Sequence, residues 1–369
     1  MEELKANLLN SSDIETFMTT ETYLGGKLFS FDGHFYQQYI INLLETRSEL
    51  DLSIGKCSQI GISEALYRYF LSKMRLKFGV NVLFSFPSFK ASSEIFQTRI
   101  DPIISQSPRL KSGLSGGVDS AYVKQFNTGS TAYALSGGKT GSSSLITRPI
   151  SDILIDELDR QDPGVYNSYD ARSTHTEDSK RVVCKVSTFT APDIGIDAEI
   201  NSCRERHIPL TVCEYCGNKW EPDFWVDVKI PGWNKLIESL TKEDAADFDL
   251  STAYLECPNC QGNCKERSYV WEIEYNPKGT ANKVAVILNP FIAPKFIKMS
   301  DLVKAFLKMD RVEFTNQKLG KTAKLEDSTI DTTKVTFISS EEKFGKYILG
   351  LDMGKLCHMF WGVQREDTY

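Results

Sequence analysis

Apolar positions follow two rhythms along the chain. Between about residues 50 and 190, short unbroken apolar runs at 50–54, 80–86, 131–135, 153–155 and 182–187 alternate with segments of helical spacing. Over 63–77 the apolar positions are Leu66, Tyr69, Phe70 and Met74; over 89–104 they are Ile95, Ile100 and Ile103. Runs without polar alternation predict strands buried on both faces, and helices between such strands predict a parallel α/β sheet with helices on both sides. From 204 to 282 the texture changes to Cys, Trp, Pro and Gly with short aromatic strands, the mark of a small metal-stapled module. From 283 to 340 the chain reads as a basic helical segment. Residues 346–353 read as a fresh strand of another domain, begun within 341–369, with 360–363 as its second strand.

Composition narrows the class. The 369 residues predict two or three domains, the first spanning 1–203, and 41% hydrophobic with 25% charged residues excludes a disordered or fibrous chain. No apolar run approaches the roughly 18 residues that span a bilayer. The start Met1-Glu2-Glu3-Leu4-Lys5 lacks the basic and apolar regions of a signal or transit peptide, so a cytosolic protein is expected. The net charge of -6 argues against a uniformly basic nucleic-acid coat. Residues 283–324 nevertheless hold nine Lys/Arg against three Asp/Glu, either a solvated face or a phosphate-contacting surface.

Two segments carry candidate chemistry. In Gly55-Lys56-Cys57-Ser58-Gln59-Ile60-Gly61-Ile62-Ser63 an apolar strand enters a loop that opens a helix, where backbone N–H groups and the helix dipole can hold phosphate. Aligned with G-x-x-x-x-G-K-[ST], Gly61 and Ser63 take the second glycine and the hydroxyl, while Ile62 stands at the usual lysine. Lys56, at the start of the loop, is the lysine available to the β/γ-phosphates, and Ser63 is the hydroxyl for Mg²⁺. The alternative is an ordinary strand-to-helix turn. The second segment, Leu154-Ile155-Asp156-Glu157-Leu158-Asp159-Arg160, ends a buried strand in adjacent carboxylates. Asp156 is expected to hold Mg²⁺, and Glu157, pointing the other way, to orient and deprotonate a water.

Nine cysteines without a secretion signal suggest metal binding rather than disulfides. Cys213-x-x-Cys216 and Cys257-x-x-Cys260 are two knuckles that complete a four-thiolate, structural Zn²⁺ site. The 40 residues between them exceed the usual interval and must fold and return; Cys264 and His207 are possible substitute ligands.

In order along the chain these segments resemble the large terminase subunit of tailed bacteriophages, in particular the lambda-like type with a zinc ribbon. Phe35-Tyr36-Gln37 is similar to the family's adenine-reading glutamine motif, and Lys56-x-x-Gln59-x-Gly61-x-Ser63 to its deviant phosphate loop. Phe96-Gln97-Thr98-Arg99-Ile100-Asp101-Pro102 is similar to the segment after its second strand. The acidic strand resembles its counterpart, Ser187-Thr188 its coupling motif, and Phe314-Thr315-Asn316-Gln317-Lys318-Leu319-Gly320 a signature ahead of its nuclease domain. The resemblance implies a RecA-like P-loop ATPase sheet with an inserted zinc ribbon and the first strands of a truncated RNase H-like nuclease. It implies ATP, Mg²⁺ and Zn²⁺ as cofactors and Gln37, Lys56, Gln59, Gly61, Ser63 and Asp156 as the ATP/Mg site. Glu157 is then the base, with Arg148 or Arg172 as the cation on the transferred phosphate; Arg99 and Arg160 are further candidates. Asp352, in Gly350-Leu351-Asp352-Met353-Gly354, resembles a first nuclease metal ligand, but with seventeen residues after it the chain alone should not cut DNA.

The implied protein is a motor that hydrolyses ATP to move double-stranded viral DNA into a procapsid. Its implied partners are a small terminase subunit and a portal, with subunits in a homo-oligomeric ring, no membrane, and the cytoplasm of the infected host as its place of action. The alternatives are a zinc-ribbon DNA-binding adaptor with a degenerate nucleotide site, and a RecA-like helicase. Adjacent carboxylates at a strand end favour the enzyme.

Overall fold

The five apolar runs form strands whose ends shift by a residue or two from expectation. The computed structural model describes residues 12–136, 150–163, 181–265, 267–323, 346–353 and 357–364. Its first unit, Met1–Lys324, is built on an 11-stranded sheet. The strands are β1 (Leu50–Lys56), β2 (Asn81–Phe86), β3 (Leu114–Asp119), β4 (Val123–Phe126) and β5 (Thr131–Ser136). They continue with β6 (Asp152–Asp156), β7 (Val182–Ser187), β8 (Cys203–Val212), β9 (Ser268–Tyr275) and β10 (Thr280–Leu288). The order is β9-β8-β10-β1-β7-β6-β2-β5-β4-β3, and the short strand Lys219–Trp220 also pairs with β8. From β8 to β5 all neighbours are parallel; β9, β4 and β3 are antiparallel edges.

Side chains alternate between two cores. Leu50, Leu52, Ile54, Val82, Phe84, Leu154, Val182 and Val186 pack with helices α1 (Ser12–Glu21), α2 (Phe35–Thr46) and α3 (Ile62–Leu76). Leu83, Ile153, Ile155, Val183 and Ala285 pack on the other face with Ile196 and Ile200 of the helix Ile196–Ser202. Helices therefore cover both faces, and β1, buried at every position, runs through the middle.

Residues 203–212 and 268–288 contribute three strands to this sheet, although the sequence reading assigns most of them to the metal module and the basic segment. Their charges disguise them. On β8, Glu205 pairs with Arg47 at 2.8 Å, and His207, buried, contacts Tyr39 and Glu205; on β10, Lys283 pairs with Glu199 at 3.0 Å. Polar groups that satisfy one another can enter a sheet without an apolar run to announce them. The stretch between Val212 and Ser268 is a separate insertion, with a three-stranded sheet of Val228–Lys229, Tyr254–Glu256 and Asn263–Cys264. The basic segment is helical from Met299, with helices Met299–Phe306 and Arg311–Phe314 and a π-helical turn Thr315–Leu319.

The second unit, Leu325–Tyr369, contains an antiparallel hairpin of Lys346–Met353 and Cys357–Gln364, in which Asp352 lies opposite His358. Both expected strands are present, the second longer than expected. No helix among the described residues is long and apolar enough to cross a membrane.

Candidate active site

Three parallel strands deliver the site from their carboxyl ends, where open α/β sheets bind ligands. β7 lies between β1, which ends at Lys56, and β6, which ends at Asp156. The loop after β1 turns on Gln59 and Gly61, both left-handed at φ +63° and +76°, before α3 begins at Ile62. Gly61 suits that conformation because it has no Cβ to clash. Gln59 sits exposed at the crest of the loop. Beneath it, the Tyr36 hydroxyl donates to Ile60 O at 2.8 Å and Gln37 Nε2 to Gly61 O at 3.1 Å, so the glutamine motif braces the loop directly.

The two motifs meet. Lys56 Nζ is 2.8 Å from Glu157 Oε1, and the Ser63 hydroxyl donates to Asp156 Oδ1 at 3.0 Å. Glu157 does not point away from this cluster as strand alternation predicts: β6 ends at Asp156, and Glu157 takes a left-handed backbone at φ +55°. That turn sends its N–H to Asp156 Oδ1 at 3.1 Å and its carboxylate to Lys56. A left-handed conformation costs a residue with a Cβ about 1–2 kcal/mol, here offset by those contacts.

Asp156 is fully buried. Burial pushes its carboxyl above the usual range, while the Lys56 charge and hydrogen bonds from Tyr67 and Ser63 pull the other way. Glu157 Oε2 and the Ser58 hydroxyl are buried without a hydrogen-bond partner among the described residues. Ser63 and Asp156 present hard oxygen donors beside a lysine and an unsatisfied carboxylate oxygen, a set that fits Mg²⁺ and a phosphate substrate.

Ser187 and Thr188 are both buried at the end of β7. The Ser187 hydroxyl accepts the Asp159 N–H at 3.1 Å, and Asp159 in turn accepts from Thr190 Oγ1 at 2.6 Å and Ile196 N at 2.7 Å. The end of β7 is thus tied to the acidic turn. Of the candidate arginines, Arg99 lies 3.8 Å from Glu64 in the first turn of α3. Arg160 ends the 3-10 turn Leu158–Arg160, and Arg148 and Arg172 lie outside the described residues.

Sequence reasoning passes over two residues, Tyr67 and Gln161, and over the packing of a third, Gly320, which it quotes only within a signature. Tyr67 donates to Asp156 Oδ2, and its place four residues after Ser63, on the same helix face, is the signal that would have found it. Gln161 Nε2 donates to Asp156 O at 2.8 Å and Ser85 O at 3.0 Å, bridging β6 to β2. Gly320 follows the π-helical turn, and a Cβ there would lie 2.7 Å from Cys57 N; beside it, Ser58 N donates to Gln317 O at 2.6 Å.

The four cysteine sulfurs of Cys213, Cys216, Cys257 and Cys260 lie within 4.8 Å of one another. Cys213 Sγ is 3.6 Å from Cys260 Sγ, and Cys216 Sγ 3.7 Å from Cys257 Sγ. A tetrahedron with Zn–S bonds of about 2.3 Å has edges of about 3.8 Å, so the sulfurs fit zinc. Both knuckles are built alike: the N–H of Gly217 returns to Cys213 O and that of Gln261 to Cys257 O, each from a left-handed residue. Cys264 lies 3.8 Å from Cys213 but outside the four-sulfur group. Both ring nitrogens of His207 are engaged by Tyr39 and Glu205, which removes it as a substitute ligand.

In the basic segment, Lys283, Lys295, Arg311 and Lys321 pair with Glu199, Asp32, Glu238 and Glu221. Lys304 and Lys308 are exposed.

The family model for the ATPase domain of the phage terminase large subunit gpA matches residues 29–276. No curated protein matches the chain. Among solved structures, the HK97 bacteriophage large terminase is similar at 12% identity and a TM-score of 0.43, over 52% of this chain and 40% of that one. The large terminase ATPase domain of Thermus phage P74-26 is similar at 9% identity and a TM-score of 0.42, over 78% of this chain and 92% of that one. The large terminase of a thermophilic bacteriophage in complex with ADP is similar at 10% identity and a TM-score of 0.42, over 86% and 61%. The chain thus spans well under two thirds of the HK97 protein, and at these scores the structural likenesses carry no functional weight. The family match covers both the phosphate loop and the acidic strand, and by it the chain belongs to the phage terminase large subunit gpA family, through the ATPase domain.

Proposed function

We infer that the chain is the ATPase motor of a viral DNA-packaging terminase, of the lambda-like type with a zinc ribbon. The observation that carries this reading is the meeting of Lys56, Ser63, Asp156 and Glu157 at the ends of β1 and β6. A triphosphate entering the loop takes the Lys56 ammonium, which exchanges Glu157 for phosphate. The freed Glu157 carboxylate accepts the proton of the attacking water. Ser63 and Asp156 would hold Mg²⁺, which supplies Lewis-acid charge to the phosphates when bound. Tyr67 and Gln161 keep Asp156 in place, and Ser187, bound to the Asp159 N–H, passes movement of the acidic turn to β7 and the segment beyond it.

In this reading residues 1–203 form the core of the ATPase, which β8, β9 and β10 complete. The insertion carries a structural Zn²⁺ on Cys213, Cys216, Cys257 and Cys260, and the 283–340 segment contacts the DNA backbone through Lys304 and Lys308. The hairpin with Asp352 opens an RNase H-like nuclease, with Asp352 as a first metal ligand. Arg148 or Arg172 supplies the transition-state cation, and double-stranded DNA, a small terminase subunit, a portal and neighbouring copies in a ring are the partners, in the host cytoplasm. Steady-state ATP hydrolysis with and without linear double-stranded DNA tests the reading. Mg²⁺-dependent turnover raised by DNA is expected; absence of both turnover and ATP binding would leave the DNA-binding adaptor.

A further inference from the structure

A cavity of about 870 Å³ lies between α2 and β9, at the far edge of the sheet from the acidic strand. It is distinct from the phosphate-loop cluster. Phe35, Gln38, Tyr39 and Asn42 face it, at the i, i+3, i+4, i+7 spacing of one helix face. Tyr36, Gln37, Ile40 and Ile41 are buried, and two of them, Tyr36 and Gln37, reach the loop.

Two features of the lining point to a ligand. The first is charge: among the described residues, Lys265, Arg267 and Lys295 line the cavity against one acid, Glu15. Lys295 is paired with Asp32 at 3.0 Å, but Arg267, only 7% exposed, bonds to two backbone carbonyls, Phe291 O at 3.2 Å and Ile297 O at 2.9 Å. Among the described residues no carboxylate pairs with it. A buried guanidinium that faces a cavity without a counter-charge is suited to an anion, and its planar fork to phosphate. The second is aromatic surface: the Tyr39 and Trp271 rings stack at 4.4 Å and 15°, with Tyr269 edge-on to Trp271 at 5.7 Å and 84°. Such rings take a planar base by stacking, and the Asn42 amide offers both a donor and an acceptor for its edge. The volume falls in the range of small-molecule sites, about 300–1,000 Å³.

We propose that this cavity is a second nucleotide site, which holds a base against the Tyr39–Trp271 stack and its phosphate on Arg267 and Lys265. The nucleotide comes either free from solution or as one unit of a nucleic-acid strand; the chemistry of recognition is the same.

Calorimetric titration of the full chain with dAMP tests this. The site predicts binding by dAMP that is at least about tenfold weaker for deoxyadenosine, which lacks the phosphate. Lys265→Glu, at an exposed position, and Trp271→Leu each weaken dAMP binding about tenfold or more, whereas Lys56→Ala leaves it unchanged. Displacement of dAMP by tetradeoxyadenylate identifies a strand as the source, and failure to displace it identifies free nucleotide. The proposal is overturned if dAMP does not bind, if deoxyadenosine binds equally well, or if Lys56→Ala abolishes binding while Lys265→Glu spares it. That last result places the ligand at the phosphate loop and leaves the ATPase reading standing; loss of ATP hydrolysis in Glu157→Gln, conversely, says nothing of this cavity.

Discussion

Lys56 Nζ and Glu157 Oε1 lie 2.8 Å apart, joined across 101 residues of sequence by two strands with β7 between them. In the proposed reading, Lys56 holds Glu157 while no triphosphate competes for it. Lys56 is almost fully buried and Glu157 about one-third exposed, so Glu157 is the less confined of the two side chains. On the proposed function, substrate binding and activation of Glu157 are one exchange of ion pairs, which restrains Glu157 until phosphate has arrived.

The pH dependence of turnover should report on Asp156. Burial raises its pKa, and the Tyr67 hydrogen bond is among the contacts that hold it down. Tyr67→Phe removes a donor to the ionised carboxylate, so Asp156 takes up its proton at a higher pH. The acid limb of the kcat/KM profile should move to higher pH in the variant. An unmoved limb would show that Asp156 is not required in its ionised form.

Gly320 packs under the phosphate loop at φ +65°, where an added Cβ meets Cys57 N at 2.7 Å and Leu288 O at 3.0 Å. Gly320→Ala combines a left-handed backbone, about 1–2 kcal/mol, with displacement of the loop. The expected result is a lower Tm together with a raised KM for ATP. A lower Tm with unchanged KM would mean that the contact supports the fold and not the loop.

The metal module should carry one zinc per chain, measurable by atomic emission. Chelation or Cys213→Ser should open the insertion to protease. Because Phe224, Val228 and Leu255 share a core with Met299, Leu302 and Phe314, protection should also fall in the helices 299–314. The parallel strands should stay protected. Zinc-free protein with an intact insertion would refute the site.

Lys304 and Lys308 are two of the exposed cations of the segment and test DNA contact; four others already have carboxylate partners. Lys304→Glu with Lys308→Glu should weaken DNA binding and lower the slope of log K against log salt by about 2. Unchanged affinity and slope would assign the segment a purely structural role.

The sequence made the centre of the sheet legible because β1, β6 and β7 are buried on both faces and read as apolar runs. The four cysteines were equally legible, since their chemistry depends on local knuckles. What stayed hidden depends on distant partners. β8 carries Arg204, Glu205, Arg206 and His207, and nothing local reveals that Arg47 and Tyr39 will receive two of them. The turn of Glu157 towards Lys56 arises where the strand stops, so side-chain alternation gave the wrong direction. Gly320 stands in the quoted signature, but nothing local shows that it packs against Cys57, more than 250 residues earlier.

The most direct test pairs ATP binding with single-turnover hydrolysis in Glu157→Gln. The amide keeps the size of the side chain but cannot take the proton of water. The account predicts that ATP binds with wild-type or higher affinity, because Lys56 no longer has a carboxylate to give up, while the hydrolysis step falls about 10²- to 10⁴-fold. Hydrolysis at the wild-type rate, or loss of ATP binding with the fold intact, would contradict the assignment of Glu157 as the base held by the phosphate-loop lysine.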